Sequence, residues 1–271
     1  MQGRYLLGLG PVISTLEFLH RQTEMSLEPE DIRQRDERAV YRRTTRDPIG
    51  VPHPLPIPDA YQDHITTVRQ RPLFQKLFSG HDVRFALLDI ASLIPVQPHV
   101  IFDFAQERAS SAPCTREVFN LCLPPAPEAL DIKGGVTTGG TREIACTLLT
   151  PDLNVLVSEA KLDTENGLRV IFTVGKTAVF CQIQACQGQY FVRDGTHRAV
   201  GLLAAGVRYM PAILEEVPSH KVSNFLPEDT LFGPNPPRIG DFLDPDLYVE
   251  HVWSPHKKVV RITVDEFITS F

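Results

Sequence analysis

Residues 189–214 constrain this chain more than any other stretch. Gln189 to Arg193 sets Tyr190 and Val192 against polar neighbours, the period of a strand. Asp194-Gly195 breaks that pattern, and Thr196 is placed to act as an N-cap. From His197 the period becomes helical, with Ala199, Val200, Leu202, Leu203 and Ala204 forming an apolar stripe. Gly206 supplies a C′ stop, and residues 207–214 return to strand character. A glycine turn that feeds a helix N-terminus gathers free N–H donors at the positive end of the helix dipole. His197 and Arg198 stand in that first turn, where a cation opposes the dipole. An anion seated above them removes the conflict, so the pattern predicts a phosphate site.

The order strand, Asp194-Gly195-Thr196-His197-Arg198, Ala-rich helix, Gly206, then a strand containing Met210-Pro211-Ala212-Ile213-Leu214 resembles the ParB/sulfiredoxin superfamily. Phe85 to Pro98, ending Ile-Pro-Val-Gln97-Pro98, is similar to that family's opening strand and Gln-Pro box. The two segments occur in the family's order and cover about a quarter of the chain. The resemblance implies an α/β (α+β) fold with a nucleotide phosphate on the turn. Three branches are relevant. Sulfiredoxins place a Cys before His-Arg; Thr196 stands there, so that nucleophile is missing. ParB proteins bind CTP on an Arg-Arg version and continue into a helix-turn-helix, a pattern not seen after Leu214. Free-serine kinases carry Asp-Gly-His-His-Arg, similar to this turn, with a catalytic Glu near the opening strand, where this chain has Gln97.

Composition narrows the class. A net charge of −6 argues against a surface that coats nucleic acid at large. Mean hydropathy near zero and 22% charged residues describe an ordinary globular protein. No apolar run approaches the ~20 residues that span a bilayer, and residues 5–12 lack a signal-peptide cleavage pattern. A cytoplasmic protein without membrane partners is expected. The five cysteines, 114, 122, 146, 181 and 186, are odd in number and not spaced for zinc, so reduced core thiols are expected and no metal site is assigned.

The fold expected is an N-terminal helical and Pro-rich arm over residues 1–80, then a ParB/sulfiredoxin-like core over 81–218 with a β-rich insertion at about 115–175, then a tail over 219–271. Strands are expected over 143–150, 154–162, 168–174, 178–185 and 259–264, with a hairpin turn at Asn166-Gly167 and loop glycines at 134–135 and 139–140. Residues 59–78 read as one helix. The arginines of residues 33–46 alternate with acids and read as a solvated helix face, with phosphate contact as the alternative.

The candidate catalytic residues are Asp194 and His197. The candidate nucleotide- and phosphate-binding residues are Gly195, Thr196, His197, Arg198 and Gln97. The ligand expected is ATP or ADP, with CTP admissible and Mg²⁺ compatible, since Asp194 could hold Mg²⁺ through water. In the plain alternative, Arg198 pairs with a carboxylate and His197 caps a strand carbonyl. The function expected is nucleotide binding, extending to an ATP/ADP-dependent phosphotransferase. Beside it stand a nucleotide-switched DNA-associated regulator, for which residues 33–46 are the basic segment, and a scaffold that kept the fold without the chemistry.

Overall fold

In the computed structural model the described residues are 1–9, 15, 17, 28–46, 53–112, 114–126, 133–139, 143–150, 155–163, 169–176, 180–222, 226–252 and 258–265. Helices and strands are mixed throughout. In chain order they are β1 (Gln2–Leu6), α1 (Pro29–Thr45), α2 (Gln62–Gln70), α3 (Pro72–Phe78), β2 (Val83–Asp89), β3 (Ile94–Pro95), β4 (His99–Ile101), α4 (Phe102–Ser110) and α5 (Thr115–Cys122). There follow β5 (Lys133–Gly139), β6 (Glu143–Thr150), β7 (Val155–Asp163), β8 (Arg169–Lys176), β9 (Gln182–Cys186) and β10 (Gln189–Asp194). The chain continues through α6 (Thr196–Ala204), β11 (Tyr209–Glu216), α7 (Glu228–Phe232), β12 (Tyr248–Val252) and β13 (Lys258–Asp265).

Contacts divide the chain into two units. The first comprises Met1–Pro127 and Phe180–Ser254, the second Glu128–Val179 and Pro255–Phe271. This division corrects the expected one. Residues 1–80 are not an arm apart from a core over 81–218, and residues 219–254 are not a separate tail. An inserted β unit exists, but its segment opens at 128 rather than about 115, because Thr115–Cys122 forms helix α5 inside the first unit.

The first unit holds a five-stranded mixed sheet in the order β2-β11-β9-β10-β3. β11 runs antiparallel to β2 and parallel to β9, β9 antiparallel to β10, and β10 parallel to β3. A second sheet, β12-β1-β4, is antiparallel, with Gly3 opposite both His251 and Ile101. Phe119, Phe180, Phe191, Phe242, Leu88, Ile90 and Leu93 are among the fully buried side chains of this unit.

The N-terminal segment is bound into this core. β1 is the middle strand of its sheet, and Tyr5 and Leu7 pack with Ile32 and Ala39 of α1 and with Leu247 and Val249. Helix α1 starts at Pro29 with Glu30 and Asp31 in its first turn and ends with Arg42 and Arg43 in its last, matching the dipole at both ends. Its arginines are not a bare solvated face. Arg43 Nε donates to Asp241 at 3.0 Å, with both side chains 4% exposed, and Arg43 also donates to the Leu7 carbonyl. Arg46 reaches the same Asp241 at 2.6 Å and Arg42 reaches Asp244 at 2.8 Å. Arg35 donates to the Tyr248 carbonyl, and Arg33 pairs within the helix with Glu30 and Glu37. Mixed charge at helical spacing looks the same whether it faces water or an acid from a distant loop, which is why sequence could not separate the two.

Residues 59–78 are two helices rather than one. Pro72 lacks an N–H and pushes Arg71 into an extended conformation, so α2 stops and α3 restarts with Pro72 in its first turn. The return from helix to strand at Gly206 is as expected. Gly206 has φ of +82° and donates its N–H to the Leu203 carbonyl, while Val207 N–H reaches Leu202.

The second unit is described by its backbone. β13 and β5 flank β6 in an antiparallel sheet, and β7 pairs antiparallel with β8 with an irregularity between Val157 and Glu159. The late strand of the tail therefore completes the sheet of the insertion. The glycines at 134, 135 and 139, expected in loops, lie within β5. The Asn166-Gly167 turn, Trp253, His256 and the final residues lie outside the described residues.

Candidate functional site

The candidate site is built around the start of α6. β10 carries an irregularity between Val192 and Asp194, so its last residue leaves the regular ladder just before the turn. Gly195 has φ of +103°, a left-handed conformation that glycine adopts without strain. A Cβ there would lie 2.7 Å from Cys181 Sγ, so the position has no room for a side chain either.

Gly195, not Thr196, is the N-cap, which corrects the expected cap. The positive φ of Gly195 places the strand-to-helix break one residue earlier, and Thr196 becomes the first helical residue, with its side chain buried. Glycine brings no side-chain oxygen to the first turn, and α6 has no side-chain cap hydrogen bond. Its first main-chain helical bond runs from Ala199 N–H to the Gly195 carbonyl. The N–H groups that precede it are the donors a phosphate would use.

Arg198 is 4% exposed in its side chain, and Asp194 is 29% exposed. One guanidinium nitrogen donates to Asp194 Oδ1 at 2.9 Å and another to the Leu121 carbonyl at 3.2 Å, at the end of α5. Arg198 therefore pairs with a carboxylate, as the plain alternative held, while His197 meets a strand N–H rather than the strand carbonyl of that alternative. Arg198 also ties the turn to α5, and its replacement by Ala leaves a part-buried carbonyl and a carboxylate without that donor. The main-chain N–H of Ile101 donates to His197 Nε2 at 3.0 Å. That bond makes Nε2 an acceptor and leaves the ring proton on Nδ1. Burial, with Arg108 and Arg198 nearby, pushes the His197 pKa down to about 4. His197 is thus a neutral ring with its Nε2 lone pair in use, so at this position it can donate from Nδ1 but not serve as a base at Nε2.

Gln97 is not brought onto the turn through its amide, which donates to the His99 carbonyl at 3.2 Å. Its neighbour His99 takes part in the site instead. His99 stacks on His251 with ring centroids 4.9 Å apart and lies close enough to His197 that protonating both rings is opposed. Burial, followed by His251 and His197, pushes His99 down to about 3, and burial also lowers His251. From sequence, His251 reads only as part of a packed C-terminal aromatic cluster; it arrives on β12 from the far end of the chain, and its place beside His99 was not foreseen.

Sequence reasoning also missed Arg108. This α4 residue lies over the Phe104 ring at 4.8 Å, and Phe104 meets His197 edge-on at 5.6 Å. Its charge acts on both His197 and Cys181. Among the described residues Arg108 has no ion pair, and it is half-buried. The Phe104–Arg108 spacing of one helical turn was the only local signal, and such pairs are common on solvated helices.

The three histidines make a testable electrostatic prediction. A ring whose pKa is lower in the folded chain gives its stability in full above the unfolded value of ~6.5 and loses it as pH falls towards the folded value. Thermal melts from pH 7 to pH 5 should show stability falling by up to about 2 kcal/mol for each of His99 and His197, at ~1.36 kcal/mol per pKa unit. His99→Gln should flatten that slope. A melting temperature that does not change over this range, where few carboxylates titrate, would contradict the burial of uncharged rings.

No family model, curated protein or solved structure matches the chain. The class therefore rests on the fold and the turn: a mixed helix-and-sheet protein with an uncapped helix start beside two arginines and a histidine. Among the described residues no helix is long and apolar enough to cross a membrane, and no group of three His, Cys, Asp or Glu side chains is placed to hold a metal ion.

Proposed function

We propose that the chain binds a nucleotide, ATP or ADP with CTP admissible, by seating a phosphate at the start of α6. The observation that carries the reading is the pairing of an uncapped α6 N-terminus with Arg108, a guanidinium that has no ion pair among the described residues. Main-chain donors and a helix dipole favour an anion there, and an unpaired half-buried arginine gains most from a charge-assisted hydrogen bond. His197 contributes its Nδ1–H, and the left-handed Gly195 supplies the turn that leaves the first main-chain N–H groups of α6 uncapped. The resemblance to the ParB/sulfiredoxin superfamily supports the same placement.

Binding without chemistry is the better supported form. Asp194 is engaged by Arg198, and the lone pair of His197 Nε2 by Ile101, so neither is poised as a base. Phosphoryl transfer, the second reading, rests on the partial exposure of Asp194: it needs that carboxylate to exchange Arg198 for a nucleotide-bound Mg²⁺. The DNA-regulator reading loses its support, since the arginines at 33, 35, 42, 43 and 46 meet partners within the chain.

Calorimetric titration of ATP, ADP and CTP into wild type and Arg108→Ala tests the proposal. Losing one charge-assisted contact costs about 1.5–3 kcal/mol, a tenfold to hundredfold loss of affinity. The melting temperature of the free variant should stay near wild type. Absence of binding to every nucleotide would leave the scaffold reading.

A further inference from the structure

We infer that Cys122 and Cys181 form a redox-active dithiol pair, which a small peroxide converts to a disulfide that clamps the two stretches of chain leading into and out of the inserted β unit. Cys122 closes α5 shortly before the insertion begins at Glu128, and Cys181 follows shortly after it ends at Val179. The two residues are neighbours in space. Cys181 N–H donates to the Cys122 carbonyl at 2.8 Å, and the thiols are hydrogen-bonded to each other. A main-chain hydrogen bond between the two residues, with their thiols also in hydrogen-bond contact, sets the pair within reach of the short span of a disulfide.

Their surroundings differ from those of ordinary core thiols. Both side chains are fully buried, yet the Arg198 charge acts on both and the Arg108 charge on Cys181. Core packing alone does not call for guanidinium groups beside sulfur, whereas a thiolate does. Burial opposes the Cys181 thiolate, but the hydrogen bond from Cys122 and the two arginines outweigh it, so the Cys181 thiol falls below its ordinary range. The Cys122 thiol, through that hydrogen bond and its own burial, is raised. This is a nucleophile with its resolving partner already in place.

The reaction balances with hydrogen peroxide as the oxidant. The Cys181 thiolate attacks one peroxide oxygen, the O–O bond breaks, and the departing hydroxide takes up a proton, leaving a sulfenic acid and water. The Cys122 sulfur then attacks Cys181, the S–O bond breaks, and the hydroxyl leaves as a second water with the Cys122 proton. Two thiols lose two electrons and peroxide gains them. Burial selects the oxidant: peroxide is close to water in size, whereas a tripeptide disulfide cannot reach a sealed sulfur. The pair stands whether or not the start of α6 takes a nucleotide.

The test is peroxide treatment of the full-length chain, followed by alkylation in denaturant and peptide mass mapping. The expected product is a linked Cys122–Cys181 peptide, lighter by two hydrogens, reversed by a dithiol reductant and formed much faster with peroxide than with oxidised glutathione. The oxidised chain should melt at a higher temperature, because the crosslink constrains the unfolded state. Cys122→Ser and Cys181→Ala should abolish the linked peptide. Cys114→Ser and Cys186→Ser should keep it, and they serve as the readout if the first pair fold poorly. Oxidation confined to the exposed Cys114, or a linked peptide that forms only in denaturant, would overturn the inference.

Discussion

Arg43→Ala is expected to destabilise the protein by about 3–5 kcal/mol, the cost of breaking a buried ion pair by removing one partner. For a chain of this size that is a melting temperature lower by roughly 10 °C. Arg43 and Asp241 are each only 4% exposed, and Arg43 also holds the Leu7 carbonyl just past the end of β1. Its loss leaves Asp241 with Arg46 and the Arg238 N–H, so the acid is not stripped bare, but the carbonyl and the packed guanidinium volume are lost. The neighbouring Arg42 supplies the control. It pairs with Asp244 and Asp246 at 53% exposure, where such pairs contribute ~0–1 kcal/mol. Arg42→Ala should therefore melt within a few degrees of wild type. Equal melting temperatures for the two variants would mean that α1 is not docked through Arg43.

Gly201→Ala is also expected to destabilise the protein, although helix propensity favours it. Replacing an interior helix glycine by alanine gains up to ~1 kcal/mol in an exposed helix. Here the added Cβ would stand 2.0 Å from the Ala105 carbonyl oxygen and 3.2 Å from Ala109 Cβ. The obstacle is main chain, which cannot rotate aside, so α4 and α6 must separate where they cross most closely. Overpacking of that kind costs ~1–3 kcal/mol or more, and the helix that moves carries His197 and Arg198. The net result should be a loss of at least about 2 kcal/mol, measured by denaturant unfolding of the variant beside wild type. A variant at least as stable as wild type would mean that the two helices do not approach as described.

The contrast between these two sites shows what the sequence could disclose. The β10–α6–β11 run was legible because each of its signals is local: alternation, a glycine turn, an apolar helical stripe and a C′ glycine. Three strands of the insertion, β6 to β8, were legible for the same reason, as were β9 and the late strand, whereas the glycine-rich β5 was not. Arg43 and Arg108 were not, because their meaning depends on Asp241 and on the start of α6, which lie far away along the chain. The cap was misplaced by one residue because Thr196 is a good N-cap by type, while glycine at 195 is required by a positive φ and by the lack of space against Cys181, a residue not adjacent in the chain. His197 and Arg198 were found as residues, and a carboxylate for Arg198 was foreseen, but the partners that fix them to other elements, Ile101 and Leu121, are main-chain groups that carry no signal in the sequence.

The central claim is that the start of α6 seats a phosphate, and amide proton–nitrogen correlation spectra of the full-length chain test it most directly. Titration with ATP should shift the main-chain amides of Thr196, His197 and Arg198 first and furthest, because hydrogen bonds from those donors would form to the ligand. Inorganic phosphate at higher concentration should move the same three signals in the same direction, and Arg108→Ala should shift the midpoint for ATP by tenfold or more. Shifts that appear elsewhere while these three amides stay fixed, or no shift at saturating nucleotide, would contradict the claim and leave the turn a structural joint between β10 and α5.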